Sequence, residues 1–345
     1  MDKPSNQDVP DCLFCEKPGE LQYKDVGDFF FENAGAFSFL RCPSCGLTWL
    51  SPRPTPEDMG RFYGDYYTHA APEQDKTTAS GKRFLGGGRD LIRDSILCGY
   101  YGYKHIHDTH RLCGIGGFLG GLPFFRNRAA NVYKALVPFY REGGRIVDVG
   151  CGRGDFLAWM KELGWETLGI ETDAMAAKVA AGRGLAVETR PLEKAGLPGD
   201  WADEVTMNHV LEHFYDPVSA LTECRRILKK GGRLALYTPN AASLGHRVFG
   251  REWRGLEPPR HLYIFSPRAI LSALSKAGFT DVRVRTSTRL AGAIYNASVL
   301  ISREGNLKGR IAPRQTGVSV FKIVESCLCA LGFPKGEELE VIVYK

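Results

Sequence analysis

The chain has 345 residues, too many for one small core and enough for two units or one domain with attachments. Apolar content of 43% with 24% charged residues is ordinary for a soluble globular protein, and a net charge of +6 is too mild to choose between an anionic small substrate, a membrane surface and nucleic acid. No run reaches the roughly 18–20 apolar residues of a transmembrane helix. The polar, acidic start from Met1 to Asp11 does not read as a signal peptide. The expectation is therefore a cytoplasmic protein whose ten cysteines are reduced thiols rather than a disulfide framework.

In chain order, the first signal is a pair of Cys-x-x-Cys knuckles, Cys12-Leu-Phe-Cys15 and Cys42-Pro-Ser-Cys45, with 26 residues between them. Each tight turn can offer two thiolates, so the four sulfurs can surround one tetrahedral Zn2+ in a closed, structural site. The alternatives are a redox Cys-x-x-Cys or uninvolved thiols, but a redox motif would not need a second knuckle. Aromatic and alternating residues between the knuckles (Tyr23, Phe29 to Phe31, Phe37, Phe39) predict a small sheet. Thr55-Pro56 then opens a short helix by cap and first-position proline, ending near Arg61 to Gly64.

Residues 70–82 read as a polar linker. Residues 83–140 are apolar yet rich in glycine, notably Leu112 to Phe125. They predict either a packed connector or a lid touching a greasy substrate or a membrane, flanked by Lys104, Arg111, Arg126 and Arg128. Asn131 to Tyr140 reads as a helix. From Arg145 strands and helices alternate, the pattern of a doubly wound parallel α/β sheet. The strands are Arg145–Val149, Glu166–Ile170, Leu185–Glu188, Glu204–Asn208 and Arg233–Thr238. Helices fall over Phe156–Leu163, Ala174–Ala181, from Pro217 to Leu228 with Gly231-Gly232 as a stop, and from Pro267 to Ala277. Val282–Thr286 and Leu339–Tyr344 alternate as antiparallel-type strands. The domain expectation is a zinc module over 1–69, a connector over 70–140 and the α/β domain over 141–345.

The first strand ends in Gly150, Gly152 and Gly154, where the backbone must turn sharply and admit a nucleotide-type ligand. A dinucleotide fingerprint would put its third glycine where Asp155 stands, and the Gly-Lys-Ser/Thr of a P-loop is absent. Asp148, just before the glycines, suits a ligand carrying an ammonium group, and Glu171 at the next strand end can accept both hydrogen bonds of a ribose diol.

Asp148 to Gly154, Glu171, His209-Val-Leu-Glu-His213 and Ile227-Leu-Lys-Lys-Gly-Gly232 together resemble the class I S-adenosylmethionine-dependent methyltransferases, with a Rossmann-like seven-stranded sheet. Within them the chain is similar to a bacterial small-molecule branch that includes ubiquinone-biosynthesis-like O-methyltransferases. The cysteine knuckles with Pro52-Arg-Pro54 and Phe62-Tyr63…Tyr66-Tyr67 resemble the zinc-binding arm of deoxysugar C-methyltransferases. The resemblance implies S-adenosyl-L-methionine as cofactor, its methionine end lined by Gly150, Gly152 and Gly154 and held by Asp148. It implies Glu171 on the ribose, Leu192 and Glu193 near the adenine, and Asn208 close to the sulfonium.

Methyl transfer to a hydroxyl or an acidic carbon needs a positioned base. His213, His209 and His261 are the candidates. The letters His-x-x-Glu-His also match an inverted zinc-protease motif, in the wrong context for it. After the fifth strand, Arg247, Arg251, Arg254 and Arg260 with Trp253 and His246 suggest an anionic acceptor; the plainer reading is a salt-bridged cover loop. The resulting expectation is methylation of a small-molecule acceptor (saccharide, quinone or lipid-linked), with peripheral membrane contact compatible, nucleic acid not expected and oligomeric state open. The alternative is an RNA or protein methyltransferase that grips its polymer with the zinc module.

Overall fold

The computed structural model describes residues 5–31, 35–63, 90–105, 112–122, 125–126, 129 and 136–345. The expected linker over 70–82 and Tyr66-Tyr67 lie outside them. The N-terminal stretch carries β1 (Asn6–Gln7), β2 (Glu20–Gly27), β3 (Ala36–Arg41), β4 (Thr48–Leu50), β5 (Arg53–Pro54) and the short helix α1 (Pro56–Met59) with Thr55 at its N-cap. Then come helices α2 (Asp90–Gly99) and α3 (Cys113–Gly121). The α/β run follows with β6 (Arg145–Val149), α4 (Asp155–Glu162), β7 (Glu166–Ile170), α5 (Ala174–Gly182), β8 (Ala186–Glu188), β9 (Ala202–Asn208), α6 (Pro217–Ile227) and β10 (Leu228–Pro239). The remaining elements are α7 (Leu244–Phe249), β11 (Tyr263–Ile264), α8 (Pro267–Lys276), β12 (Val282–Ser287), α9 (Ala291–Glu304), α10 (Val318–Ala330) and β13 (Glu338–Tyr344).

The main sheet has seven strands in the order β12-β13-β10-β9-β6-β7-β8. β6, β7 and β8 pair in parallel, whereas β13 runs antiparallel to both β10 and β12. This is the expected mixed, doubly wound sheet. Two local readings need correction. Gly231-Gly232 does not separate helix from strand but lies inside β10, where Gly231 N–H donates to Lys345 O and Lys345 N–H to Gly232 O. The sequence pattern also passed over α9 and α10. The exposed face of α10 carries apolar side chains such as Val320 and Ile323, which blurs its helical period.

Contacts divide the chain into two compact units. One unit holds the described residues up to 63 together with residues 207–345; the other holds the described residues from 90 to 206. The division falls inside β9.

In the second unit, the glycine-rich connector is a helical hairpin. A Cβ at Gly116 would collide with the Ser95 carbonyl, one at Gly99 with the Cys113 carbonyl and one at Gly120 with the Tyr100 side chain. The glycines therefore let α2 and α3 approach at backbone distance. A Cys98–Cys113 disulfide, with Cα atoms 5.2 Å apart, ties the two helices, which overturns the expectation that every scattered cysteine is a free thiol. Ile96, Tyr101 and Tyr103 pack with Ile146, Phe156 and Trp165 in a buried cluster, while Ile115 and Phe118 stay exposed. Of the helix expected over Asn131 to Tyr140, residues 136–140 have no regular structure and 131–135 lie outside the described residues.

In the first unit, the expected small sheet forms and is larger than expected: β11-β4-β3-β2, with β11 supplied from two hundred residues downstream.

Candidate functional site

The glycine loop lies in the second unit and is built from backbone conformation. Gly150, Gly152 and Gly154 have φ of 70°, 54° and 76°, a region in which side chains are strained. Their jobs differ. A Cβ on Gly152 would meet open space, as a ligand-facing glycine requires. A Cβ on Gly154 would strike Leu185 and Ala180, so the packing of α4 against α5 by itself excludes a side chain here. Glu171 Oε2 accepts from Gly152 N–H at 2.8 Å and its Oε1 from Asp173 N–H at 2.9 Å, which fixes the carboxylate while leaving lone pairs for further donors.

Asp148 is buried and accepts from Thr206 Oγ1 at 2.6 Å. Burial pushes its carboxyl up to about 7, against the Thr206 bond and reinforced by the charge of Glu171. A buried acid next to a second carboxylate is a natural partner for a cation. Leu192 is 1% exposed, a core residue, while the adjoining Glu193 faces solvent. The donor set fits the expected cofactor: an open glycine, an acid for the ammonium end and an acid able to take a diol.

In the first unit the two knuckles repeat one backbone design. Cys12 N–H donates to Lys17 O and Glu16 N–H to Cys12 O; Cys42 N–H donates to Leu47 O and Gly46 N–H to Cys42 O. Glu16 and Gly46 hold the matching left-handed positions, with φ of 55° and 74°. All four sulfurs lie within 4.8 Å of one another, Cys12 and Cys45 being 3.6 Å apart. Bonds of about 2.3 Å to a tetrahedral zinc set sulfur–sulfur edges near 3.8 Å, so the donor set fits. Ser266 Oγ donates to Cys45 O at 2.5 Å, and Phe14 stacks on Phe265 with ring centroids 6.1 Å apart.

The three candidate histidines also fall in this unit, beyond the end of β9. Asn208, its last residue, is half-buried. His209 adopts φ 54°. Its Nε2 lies 2.7 Å from Glu338 Oε1 and its Nδ1 3.3 Å from Glu212 Oε1. Burial would lower this imidazole, but the two carboxylates outweigh it and hold it protonated up to about 9. With both nitrogens engaged, His209 is a charged clamp and does not fit the expected part of a base.

His213 differs. Its Nδ1 is 2.9 Å from the Arg260 carbonyl and 3.0 Å from Tyr63 Oη. A carbonyl can only accept, so Nδ1 carries a hydrogen and Nε2 is the ring nitrogen left to exchange a proton. Tyr63 stays a phenol, because burial and the charge of Glu257 push its ionisation up. His261 packs edge-on to His213 with ring centroids 4.9 Å apart. It donates Nδ1–H to Gly255 O at 2.8 Å, and its Nε2 faces Glu257 Oε2 at 3.4 Å and Glu212 Oε1 at 3.9 Å. Burial pulls it down to about 4, so it is neutral near pH 7. Glu212, fully buried, accepts from Thr238 Oγ1 at 3.0 Å; burial would raise its carboxyl, but the bond to His209 and the charge of that imidazolium outweigh it and hold Glu212 ionised.

Ligand atoms of Glu212, His213 and His261 lie within 4.8 Å of one another, so the trio can relay a proton or hold a cation. His209 is not one of the trio, contrary to the literal zinc-protease pattern. The sequence marks Tyr63 only by its family likeness, and nothing in its local pattern announces its bond to His213.

The arginines correct a further expectation. Arg260 is fully buried and pairs bidentately with Asp28 at 2.6 and 2.8 Å, and with Glu257 at 3.3 Å. Arg254 also pairs with Glu257, and both guanidinium groups lie over the Phe30 ring. Arg251 donates to Asp25 O and lies 3.6 Å from Glu252. These three brace the fold and are not free for an anionic acceptor. Arg247 alone of the four makes no ion pair among the described residues.

Residues 124–284 match the family model of a methyltransferase domain. With the strand order and loop described above, this stretch is a class I S-adenosylmethionine-dependent methyltransferase domain. Among curated proteins, a ubiquinone biosynthesis O-methyltransferase of Cereibacter sphaeroides is 34% identical over 161 residues, covering 43% of this chain and 64% of the relative. One from Alkalilimnicola ehrlichii is 36% identical over 146 residues, covering 40% and 51%. The chain thus spans less than two thirds of the length of these relatives. A solved S-adenosylmethionine-dependent methyltransferase from Archaeoglobus fulgidus aligns at 21% identity and a TM-score of 0.43, covering 64% of this chain and 91% of that one. No helix of the described residues is long and apolar enough to cross a membrane.

Proposed function

We propose that the protein transfers a methyl group from S-adenosylmethionine to a hydroxyl or acidic carbon of a small-molecule acceptor, with His213 Nε2 as the base. The observation that carries this reading is the Nδ1–H of His213 held on the Arg260 carbonyl, which leaves Nε2 to take a proton. S-adenosylmethionine, when bound, supplies a methyl group on a sulfonium that leaves as a neutral thioether. Asp148 would hold the ammonium end, Glu171 the ribose hydroxyls, and Gly152 would give the backbone clearance. Tyr63 and His261 orient His213 through its Nδ1 side and its ring edge. Glu212, ionised between His209 and His261, favours the imidazolium that forms when His213 accepts the proton. The curated relatives are named for O-methylation, which supports a hydroxyl; the arm-like cysteine module supports carbon equally. The four cysteines would hold one structural zinc, which metal analysis of the purified protein should find at about one per chain.

Radiolabelled methyl transfer into a fractionated cell extract tests the acceptor class. Label in a small-molecule fraction supports the reading, and label confined to RNA or protein overturns it. His213→Ala should lower turnover by about 10²–10⁴-fold with cofactor affinity kept, as loss of a general base does. Equal turnover would remove His213 from the role.

A further inference from the structure

Two clefts of the first unit share the side chains of Arg247 and Lys335. One, of about 340 Å³, is polar: Gln22, Tyr23 and Arg41 from β2 and β3 face Ser243 and His246 of the α7 region. The other, of about 430 Å³, is lined by Leu244, Val248, Leu328 and Phe333. No carboxylate lines either cleft.

The polar cleft owes its charge to three cations. His246 adds none: it donates Nδ1–H to Ala241 O at 2.8 Å and accepts from Tyr23 Oη at 3.0 Å, so its ring is neutral. Lys335 Nζ spends one donor on Ala242 O at 3.1 Å and keeps two. Arg41 and Arg247 make no ion pair among the described residues, in contrast to Arg251, Arg254 and Arg260 nearby. Two guanidinium groups without a carboxylate, lining one cleft with an ammonium group, match the chemistry of a phosphate. Next to them, Val248 is 57% and Phe333 53% exposed, apolar surface that a hydrocarbon chain would cover.

We propose that this double cleft binds an anionic amphiphile, its phosphate on Arg41, Arg247 and Lys335 and its hydrocarbon chain along Leu244, Val248, Leu328 and Phe333. The inference stands apart from methyl transfer, since it needs no cofactor and no catalytic histidine.

Calorimetry of the full-length chain with dodecyl phosphate, below its micelle concentration, tests it. One saturable site is expected. Arg247→Ala and Phe333→Asp should each weaken it by about tenfold or more, the loss of one charge-assisted contact or of the apolar wall. Both side chains are exposed, and matching urea unfolding curves will verify that the variants fold. Inorganic phosphate should bind far more weakly, and the neutral dodecyl maltoside should not compete. Dodecyl maltoside binding as tightly, inorganic phosphate binding as tightly, or an unchanged Arg247→Ala would each overturn the proposal. Vesicles of phosphatidylcholine with phosphatidic acid separate the sources. Arg247-dependent sedimentation assigns the headgroup to a bilayer lipid, and its absence with dodecyl phosphate binding retained assigns a soluble amphiphile.

Discussion

The glycine loop and the histidine cluster are built in opposite ways. The loop is a matter of backbone: three left-handed glycines, one acid before them and one at the next strand end, all within two dozen residues. The cluster is a matter of side chains drawn from distant segments: Tyr63, Glu212 with His213, and Arg260 with His261, braced by Asp28. A backbone site tolerates no Cβ at one position; a side-chain site fails when a distant brace is cut.

The largest expected effect cuts that brace. Arg260→Ala leaves Asp28 and Glu257 as buried carboxylates without their shared cation, a loss of about 3–5 kcal/mol. Urea unfolding should register it, and a change within about 0.5 kcal/mol would mean the brace is not structural.

On the loop, Gly152→Val and Gly154→Val should part company. The second overpacks Leu185 and Ala180 and should cost about 1–3 kcal/mol of stability. The first carries the same left-handed backbone strain without the collision, so it should cost less stability than the second and lose cofactor binding in calorimetry. Equal outcomes for the two would erase the distinction between a ligand-facing and a packing glycine.

The pH dependences are smaller. His209 is raised from 6.5 to about 9, so its contribution is fully present below pH 6.5 and is lost as pH rises through about 9. The stability difference between wild type and His209→Gln should shrink over that window; a flat difference would mean that Glu212 and Glu338 do not hold the imidazolium. Asp148, raised to about 7, is protonated in acid, and a bound ammonium favours its ionised form. Cofactor affinity should therefore rise from about pH 5 to about pH 7 with proton release, and Asp148→Asn should abolish that slope.

The α/β strands were legible because β-branched runs ended in glycine and were followed by capped helices, as at Asp216-Pro217, where Asp216 Oδ1 accepts from Val218 and Ser219 N–H. The knuckles were legible because spacing alone brings paired thiolates together. The fates of the arginines were not. Arg247 and Arg260 look alike in a string of letters, yet one is exposed and the other fully buried on Asp28, 232 residues away. The glycines of residues 112–121 were equally opaque, because their reason is the neighbouring helix α2, which local pattern does not name. Tyr63 belongs to the same class of residues, defined by a partner 150 positions off.

Strand β11 begins two residues after His261 and pairs with β4, while the intervening Leu262 links Leu50 to Glu212 through its two backbone bonds. The cysteine module is therefore not a detachable appendage. A transplant of residues 1–63 from a relative would bring three strands of a four-stranded sheet and leave the fourth behind in the recipient. The two stretches form one structural block, and the cysteine knuckles reach the candidate base through shared backbone. In any exchange of parts between such enzymes, the segment from Gly255 to Ser266 must travel with the N-terminus.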